Sequence, residues 1–224
     1  MEVYFADSPM KKSVELVMFD LDGTLADTGH DLADAVNFTR GRFNLSPLPA
    51  PAVYANVGRG VEHLLKQSLP EAGEANFRTI LRVFLERYEN HLLDRTVLYP
   101  GVAEVLRYFR GTRRAVVSNK MHRLTVAVVQ GLGVATEFDA ILGGDSVAEK
   151  KPHPAMLQSV LEQFHIAPAN ALIVGDGDTD IEAGKRAAVI TCGVTYGLGN
   201  KDAMRAAGPD VTIDSLVELA DFFC

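Results

Sequence analysis

The sequence predicts an α/β protein, with a Rossmann-like, doubly wound parallel sheet as its core and an all-helical cap inserted into it. Short apolar runs rich in β-branched residues recur at residues 14–19, 115–117, 140–142, 171–174 and 189–194. Such runs are typical of buried strands. Amphipathic helical patterns lie between several of them, and strands that alternate with helices form a parallel sheet covered on both faces.

Residues 27–94 break this alternation because they contain helical patterns and no convincing strand. One apolar stripe spans residues 61–69 and a longer one spans residues 77–92. We therefore predict a catalytic core formed by residues 1–26 plus 95–224 and a helical cap formed by residues 27–94. A helical insert hinged beside the first strand would act as a lid that excludes water.

The composition restricts the possible partners and the compartment. Lys and Arg total 22 against 29 Asp and Glu, a net charge of −7, which argues against a nucleic-acid or anionic-membrane surface. With only Cys192 and Cys224, a disulfide framework is not expected, and this favours a reducing, cytoplasmic location. The first residues lack the basic start and long apolar region of a secretory signal, and no apolar run approaches the ~20 residues of a membrane span.

The most informative motif follows the first apolar run, where Asp20 and Asp22 stand two positions apart before Gly23 and Thr24. Both carboxylates are expected at the carboxyl end of a strand, where open parallel sheets bind ligands. Two carboxylates about 4 Å apart repel each other by a few kcal/mol at an effective dielectric constant of ~20. A cation must hold them together, and Mg²⁺ prefers such oxygen ligands.

Three further segments place polar side chains at or just after predicted strands. They contribute a hydroxyl with an amide, a lysine followed by prolines, and two carboxylates: Ser118 with Asn119, Lys151, and Asp176 with Asp180. Acidic groups for a metal, hydrogen-bonding groups for phosphoryl oxygens and a lysine for charge are the components of a phosphoryl-transfer site.

Taken in order, the motifs D-x-D-G-T, S-N-K, K-P-x-P and G-D-x-x-x-D resemble those of the haloacid dehalogenase superfamily of phosphatases and phosphotransferases, over nearly the whole chain. Within it, the segments at residues 19–25, 58–60 and 99–102 most resemble the phosphoglycolate phosphatases and their close relatives.

The resemblance implies a role for each motif residue. Asp20 would be the nucleophile that forms an aspartyl-phosphate, and Asp22 would be the general acid and later the base. Asp20, the backbone carbonyl of Asp22 and Asp176 would hold Mg²⁺.

The phosphoryl group would be bound by Ser118, the backbone of Asn119 and Lys151. Asp180 would steady the lysine or the metal-bound waters, and Arg59 is a candidate cation from the cap for a carboxylated substrate.

Plainer interpretations stay open for some of these residues. Asp180 could cap a helix, and Ser118 and Asn119 could cap the helix that follows them. Arg59 could be an ordinary solvated loop residue. Lys150 competes with Lys151, although the spacing to the following proline favours Lys151.

The expected function is Mg²⁺-dependent hydrolysis of a small phosphate monoester, with 2-phosphoglycolate as the favoured substrate. The alternatives are a phosphosugar mutase of the same superfamily and, in a different class, a non-enzymatic receiver-type switch phosphorylated on Asp. The expected partner is a small phosphorylated metabolite, with no nucleic acid and no membrane, and the chain is expected to be a monomer or homodimer.

Overall fold

The structure is a computed structural model that describes residues 11–224, apart from the side chain of Glu74. The expectation that the chain begins with no secretory signal concerns residues 1–10 in large part, and these lie outside the described residues. In chain order the strands are β1 (Leu16–Phe19), β2 (Ala26–Asp27), β3 (Val97–Leu98), β4 (Arg113–Val117), β5 (Ala140–Leu142), β6 (Ala171–Gly175), β7 (Ile190–Val194) and β8 (Val211–Ile213).

The helices occupy most of the chain between these strands. They are α1 (Gly29–Arg42), α2 (Ala50–Tyr54), α3 (Val61–Ser68), α4 (Phe77–Asn90), α5 (Val102–Tyr108), α6 (His122–Gly131), α7 (Ala155–Phe164), α8 (Asp178–Arg186), α9 (Lys201–Ala206) and α10 (Leu219–Phe222). No described helix is both long enough and apolar enough to cross a membrane. Cys192 is buried, Cys224 is exposed, and both are free thiols.

The main sheet has six strands in the order β5-β4-β1-β6-β7-β8, and every pairing in it is parallel. The predicted α/β class and its parallel sheet are therefore confirmed. β1 lies inside the sheet between β4 and β6. Its carboxyl end, where Asp20 follows, thus lies beside the carboxyl ends of two other strands that carry predicted motifs.

The alternation of side chains along β1 explains why its apolar run has no polar face. Val17 and Phe19 point into one hydrophobic cluster, and Leu16 and Met18 point into the other. Helices α5 and α6 contribute to the first cluster, and α7 and α8 contribute to the second. Because helices cover both faces, every position of this strand is buried, as in parallel sheets generally.

Four α-helices, α1 to α4, lie between β2 and β3, and no strand occurs among the described residues 29–90. The stripes predicted there are amphipathic faces, because Leu64 and Leu65 of α3 and Ile80 and Phe84 of α4 are buried. β2 and β3 form an antiparallel pair where the chain leaves and re-enters the core. The domain boundaries at residues 27 and 94 stay predictions, as does the function of the helices as a lid. We refer to residues 29–90 as the helical insert.

Candidate active site

A tight turn follows β1 and places the first two acidic residues. The backbone N–H of Asp20 donates to the carbonyl of Val174 at 2.9 Å, so Asp20 still belongs to the edge of the parallel ladder. Immediately afterwards, the N–H groups of residues 24–26 all donate to the carbonyl of Leu21. The turn therefore fixes the backbone around Asp22 by local hydrogen bonds.

Gly23 makes this turn possible and lets a second acidic segment approach closely. Its φ of +89° is unfavourable for other residues. A Cβ at this position would lie only 2.0 Å from Oδ2 of Asp176. The same carboxylate oxygen accepts a hydrogen bond from the backbone N–H of Gly199 at 2.7 Å. Glycine in the D-x-D-G-T motif thus brings Asp176, after β6, against the turn after β1.

Three buried carboxylates and one buried ammonium group meet at this edge of the sheet. Asp20, Asp176 and Asp180 each offer one oxygen, and these oxygens all lie within 4.8 Å of one another. Nζ of Lys151 donates to Oδ1 of Asp20 at 2.9 Å and to Oδ1 of Asp180 at 2.6 Å. It also donates to the carbonyl of Val117, at the end of β4. Lys151 therefore ties together residues from three chain segments.

Asp180 serves the helix and the cluster at once. Its Oδ2 accepts a hydrogen bond from the backbone N–H of Gly177 at 3.1 Å, in the first turn of α8, while its Oδ1 accepts from Lys151. The helix-capping interpretation and the interpretation as a lysine partner are therefore compatible, because each uses a different oxygen.

Asn119 positions Lys151 through its side chain. Its Oδ1 accepts the backbone N–H of Lys151 at 2.9 Å, and its Nδ2 donates to the Lys151 carbonyl at 2.8 Å. The same Nδ2 donates to the carbonyl of Gly58, in the helical insert. Of the two candidate lysines, Lys151 contacts the carboxylates, whereas Lys150 does not take part in those bonds.

Asp22 occupies a separate environment from the cluster. Nζ of Lys120 donates to both of its carboxylate oxygens, at 2.9 and 3.0 Å, and the hydroxyl of Thr28 donates to Oδ1 at 2.6 Å. Burial disfavours the charged form of Lys120, but the Asp22 carboxylate and Tyr88 outweigh it and raise the pKa of the lysine above its ordinary value. Asp22 is therefore held by a lysine of its own.

The charges within the cluster are unbalanced. Burial raises the pKa of Asp20 from 3.8 to about 6, with Lys151 opposing and Asp180 and Asp22 adding to the rise. Burial and the neighbouring Asp20 and Asp180 raise the pKa of Asp176 to about 8. Three buried carboxylates and one ammonium leave an excess of negative charge. The atoms that these carboxylates offer as metal ligands are oxygens. This donor set fits a hard divalent cation such as Mg²⁺.

A small cavity lies between this edge of the sheet and the helical insert. Its polar floor carries groups from the segments that follow β1 and β4: Asp20, Asp22, Ser118, Asn119 and Lys120. Its walls are mainly apolar side chains of the insert and of α6. A small molecule bound there would meet charged groups at one end and apolar walls at the other.

The comparison with protein families agrees with this geometry. A family model described as haloacid dehalogenase-like hydrolase matches residues 17–194, which is more than half of the 224 residues. The chain belongs to the haloacid dehalogenase-like hydrolase family. The resemblance stated from the motifs is therefore confirmed.

Several relatives of this chain are named phosphoglycolate phosphatase. It is 35% identical to a phosphoglycolate phosphatase of Chromobacterium violaceum, covering 94% of this chain and 96% of that protein. It is 37% identical to a phosphoglycolate phosphatase of Neisseria meningitidis, covering 92% of both chains. A crystal structure of a predicted phosphoglycolate phosphatase from Haemophilus somnus superposes with a TM-score of 0.88 at 30% identity, covering 92% of this chain and 96% of the other.

The sequence-predicted residues of this hydrolase fall into two groups. Asp20, Asp176, Asp180 and Lys151 are brought into direct contact or into one cluster, and Ser118 lies buried in the same cavity floor as Asp20. The carboxylate of Asp22 lies outside that cluster, so only its backbone carbonyl remains the predicted metal ligand.

Arg59 belongs to the second group, because it pairs with Asp178 and is not one of the cavity-lining residues. Its guanidinium donates to Oδ2 of Asp178 at 2.5 Å and is 45% exposed. This ion pair joins the helical insert to the start of α8. The role of Arg59 in substrate binding stays a prediction.

Lys120 is the functional candidate that the sequence analysis missed. It is part of the S-N-K motif, but its contact with Asp22 joins residues 98 positions apart. A signal was present, because a lysine directly after a polar strand end in a parallel sheet lies at the ligand-binding edge.

Proposed function

We propose that this chain is a Mg²⁺-dependent phosphatase that hydrolyses small phosphate monoesters through a phosphorylated Asp20, with 2-phosphoglycolate as its preferred substrate. The observation that carries the proposal is the division of the acidic residues. One carboxylate cluster shares Lys151, and Asp22 stands beside it on Lys120. The similarity to curated phosphoglycolate phosphatases over more than 90% of the chain supports the choice of substrate.

In the first step, a carboxylate oxygen of Asp20 attacks phosphorus while the bond from phosphorus to the ester oxygen breaks. Asp22 gives its proton to the leaving alkoxide, which departs as an alcohol. Ser118, the backbone of Asn119 and Lys151 bind the phosphoryl oxygens, and the positive charge of Lys151 offsets the repulsion between two anionic reactants.

In the second step, Asp22 takes a proton from a water molecule whose oxygen attacks phosphorus. Inorganic phosphate leaves and the carboxylate of Asp20 is regenerated. Covalent catalysis of this kind divides one difficult hydrolysis into two easier steps. The contact of Asn119 with Gly58 ties the helical insert to the cavity floor, and this supports its proposed role in excluding bulk water.

Mg²⁺ would be held by Asp20, the backbone carbonyl of Asp22 and Asp176, with Asp180 close to the same position. When bound, the ion would neutralise part of the negative charge of the carboxylates and of the phosphate. The unbalanced buried charge of the cluster supports this assignment.

Removal of Mg²⁺ is expected to lower thermal stability more at pH 8 than at pH 6. In the metal-free protein, the pKa values of Asp20 and Asp176 lie near 6 and 8 instead of 3.8. Their contribution to stability is therefore fully present below about pH 3.8 and is lost as the pH rises through 6 and 8. Mg²⁺ offsets that loss at pH 8, whereas at pH 6 it must first displace a proton from Asp176.

Differential scanning fluorimetry with EDTA or with Mg²⁺ measures this effect. At 100 times the Kd, bound Mg²⁺ adds about 2.7 kcal/mol, which corresponds to a rise in Tm of roughly 5–10 °C for a chain of this size. Asp176→Asn is the control and is expected to lose most of the response at pH 8. An equal rise at both pH values would contradict the protonation argument.

The proposed activity is tested by measuring phosphate release from a panel of about a hundred phosphomonoesters, with Mg²⁺ or with excess EDTA. We expect 2-phosphoglycolate to give the highest kcat/KM, and we expect EDTA to abolish release. Full activity in EDTA would overturn the metal assignment. A sugar phosphate that isomerises without releasing phosphate would indicate the mutase, and stable phosphorylation without turnover would indicate the receiver-type switch.

The expected partner under this proposal is a small phosphorylated metabolite. The monomeric or homodimeric state and the cytoplasmic location stay predictions.

A further inference from the structure

The wall of the cavity contains a buried hydroxyl that makes no hydrogen bond of normal geometry within residues 11–224. Tyr88 lies in α4, and its side chain is among the largest that are fully buried. It lines the same cavity as Asp20 and Asp22, and its hydroxyl oxygen makes no hydrogen bond of normal length and angle among the described residues, although Lys120 lies close enough to interact with it. Buried hydroxyls are normally satisfied, since leaving one unpaired is costly. A bound ligand is the natural partner for a hydroxyl in a cavity.

The position of the Tyr88 ring is restricted by its neighbours. It stacks on Phe84, with ring centroids 5.5 Å apart and an interplanar angle of 23°. Nζ of Lys120 lies 4.8 Å from the centroid of the Tyr88 ring, and the same ammonium contacts Asp22. A single lysine therefore spans the distance between the proposed proton donor and the tyrosine.

The remaining wall offers few other groups that could bind a polar part of a substrate. The side chains around it are apolar: Leu32, Val57, Val61, Leu64, Met121 and Leu124. An anionic group that entered this end of the cavity would lose water and would find Tyr88 and Lys120 as its charged or hydrogen-bonding side chains. A carboxylate would accept a hydrogen bond from Tyr88 there, beside an ammonium group that already pairs with Asp22.

We propose that the hydroxyl of Tyr88 donates a hydrogen bond to a carboxylate on the leaving group, and that it thereby selects phosphomonoesters whose leaving group carries a carboxylate. This inference rests on the proposed phosphatase function and assigns its specificity. Tyr88 is a specificity-determining residue, because it binds the part of the substrate that does not react.

This assignment replaces the cation that the sequence suggested with the hydroxyl of Tyr88. Arg59 is paired with Asp178 and is not one of the cavity-lining residues. To bind a substrate carboxylate, Arg59 would have to leave that ion pair. A substrate carboxylate would displace no protein hydrogen bond of normal geometry at the Tyr88 hydroxyl, but it would have to displace the side chains that bury the hydroxyl.

The test compares two substrates that differ in the carboxylate, 2-phosphoglycolate and ethyl phosphate, in the wild type and in Tyr88→Phe. We expect the variant to lower kcat/KM for 2-phosphoglycolate about 10- to 100-fold, as for loss of a hydrogen bond to a charged group. The value for ethyl phosphate should change by less than about threefold, because the substitution keeps the ring. Tyr108→Phe, which removes a hydroxyl bonded to the Phe223 carbonyl on the far side of the core, is the matched control.

Arg59→Ala completes the comparison. Since it removes an ion pair between the insert and α8, we expect it to change kcat/KM by a similar factor for both substrates. A loss confined to 2-phosphoglycolate in this variant, with none in Tyr88→Phe, would assign the carboxylate to Arg59 and overturn the proposal.

Binding separates this inference from the proposed catalysis. The affinity of 2-phosphoglycolate is measured by calorimetry in Asp20→Asn and in Asp20→Asn/Tyr88→Phe, both with Mg²⁺. Weaker binding in the double variant would support the role of Tyr88. This holds even if the wild type released no phosphate, because that result would overturn only the proposed phosphatase function. Equal binding, or an equal loss of kcat/KM for both substrates in Tyr88→Phe, would overturn the inference. The Tm of Tyr88→Phe should not fall, since the lost hydroxyl makes no hydrogen bond of normal geometry within residues 11–224, and a fall would indicate a packing role instead.

Discussion

Asp20→Asn is expected to lower kcat for phosphate release by at least about 10³-fold, as removal of a nucleophile does in other enzymes that form covalent intermediates. The amide nitrogen cannot replace the attacking carboxylate oxygen. The substitution conserves volume, and Lys151 keeps its 2.6 Å bond to Asp180, so the local structure should persist. Phosphate release under single-turnover conditions and mass spectrometry of acid-quenched protein would measure the loss of both the product and the phosphorylated enzyme.

Asp221→Asn provides the matched control for this experiment. Asp221 is an exposed carboxylate in α10, and this substitution makes the same chemical change away from the cavity. The activity of the Asp221→Asn variant should equal that of the wild type. Substantial multiple turnover by Asp20→Asn, or a phosphoryl group found on another residue, would reject Asp20 as the nucleophile.

The parts of the site that were predictable from the sequence are those fixed by strand ends. Asp20 and Asp176 each follow an apolar run, and parallel strands bring their carboxyl ends to one edge of a sheet. The order of the strands in the sheet was not needed for this prediction. The contact between Lys151 and the carboxylates was also predictable. The proline that follows Lys151 fixes the backbone there and distinguishes this lysine from Lys150.

Contacts that depend on which side chains meet across the fold were not predictable. The sequence places Lys120 beside Ser118 and Asn119, but it does not specify that the ammonium reaches Asp22 and not the main cluster. Likewise, Arg59 meets Asp178, a residue 119 positions away that reads as a solvated loop acid. The first pairing is set by how the loops after β1 and β4 meet, and the second by the packing of the helical insert on the core, and no local pattern encodes either.

Tyr88 has one property that the sequence predicts and one that it does not. Its place in the apolar stripe of residues 77–92 predicts burial, and Tyr88 is buried. Periodicity cannot show that its hydroxyl lacks a hydrogen bond of normal geometry, because that depends on what the opposing wall offers. Strand β8 was missed for a simpler reason. It has three residues, and Thr212 in its middle is exposed, so the apolar signal is weak.

Asp22→Asn is expected to lower steady-state kcat by about 10²- to 10⁴-fold, the range for loss of a general acid–base group. Asn keeps one oxygen that can accept from Thr28 and from Lys120, whereas the second bond to Lys120, the negative charge and the transferable proton are lost. In this variant, the leaving group determines whether phosphorylation of Asp20 or hydrolysis of the phosphorylated enzyme is the slow step. An alkoxide such as that of glycolate needs a proton, whereas p-nitrophenolate leaves without one.

The roles proposed for Asp22 therefore predict different transients for the two substrates. With p-nitrophenyl phosphate, Asp22→Asn should release about one equivalent of p-nitrophenolate per site and then slow down, because the phosphorylated Asp20 waits for a base. With 2-phosphoglycolate no burst should occur, since the first step is already impaired. Stopped-flow absorbance and rapid-quench assays distinguish these cases. Equal slow rates without a burst on both substrates would restrict Asp22 to holding Lys120, and a wild-type rate would assign the acid to another residue.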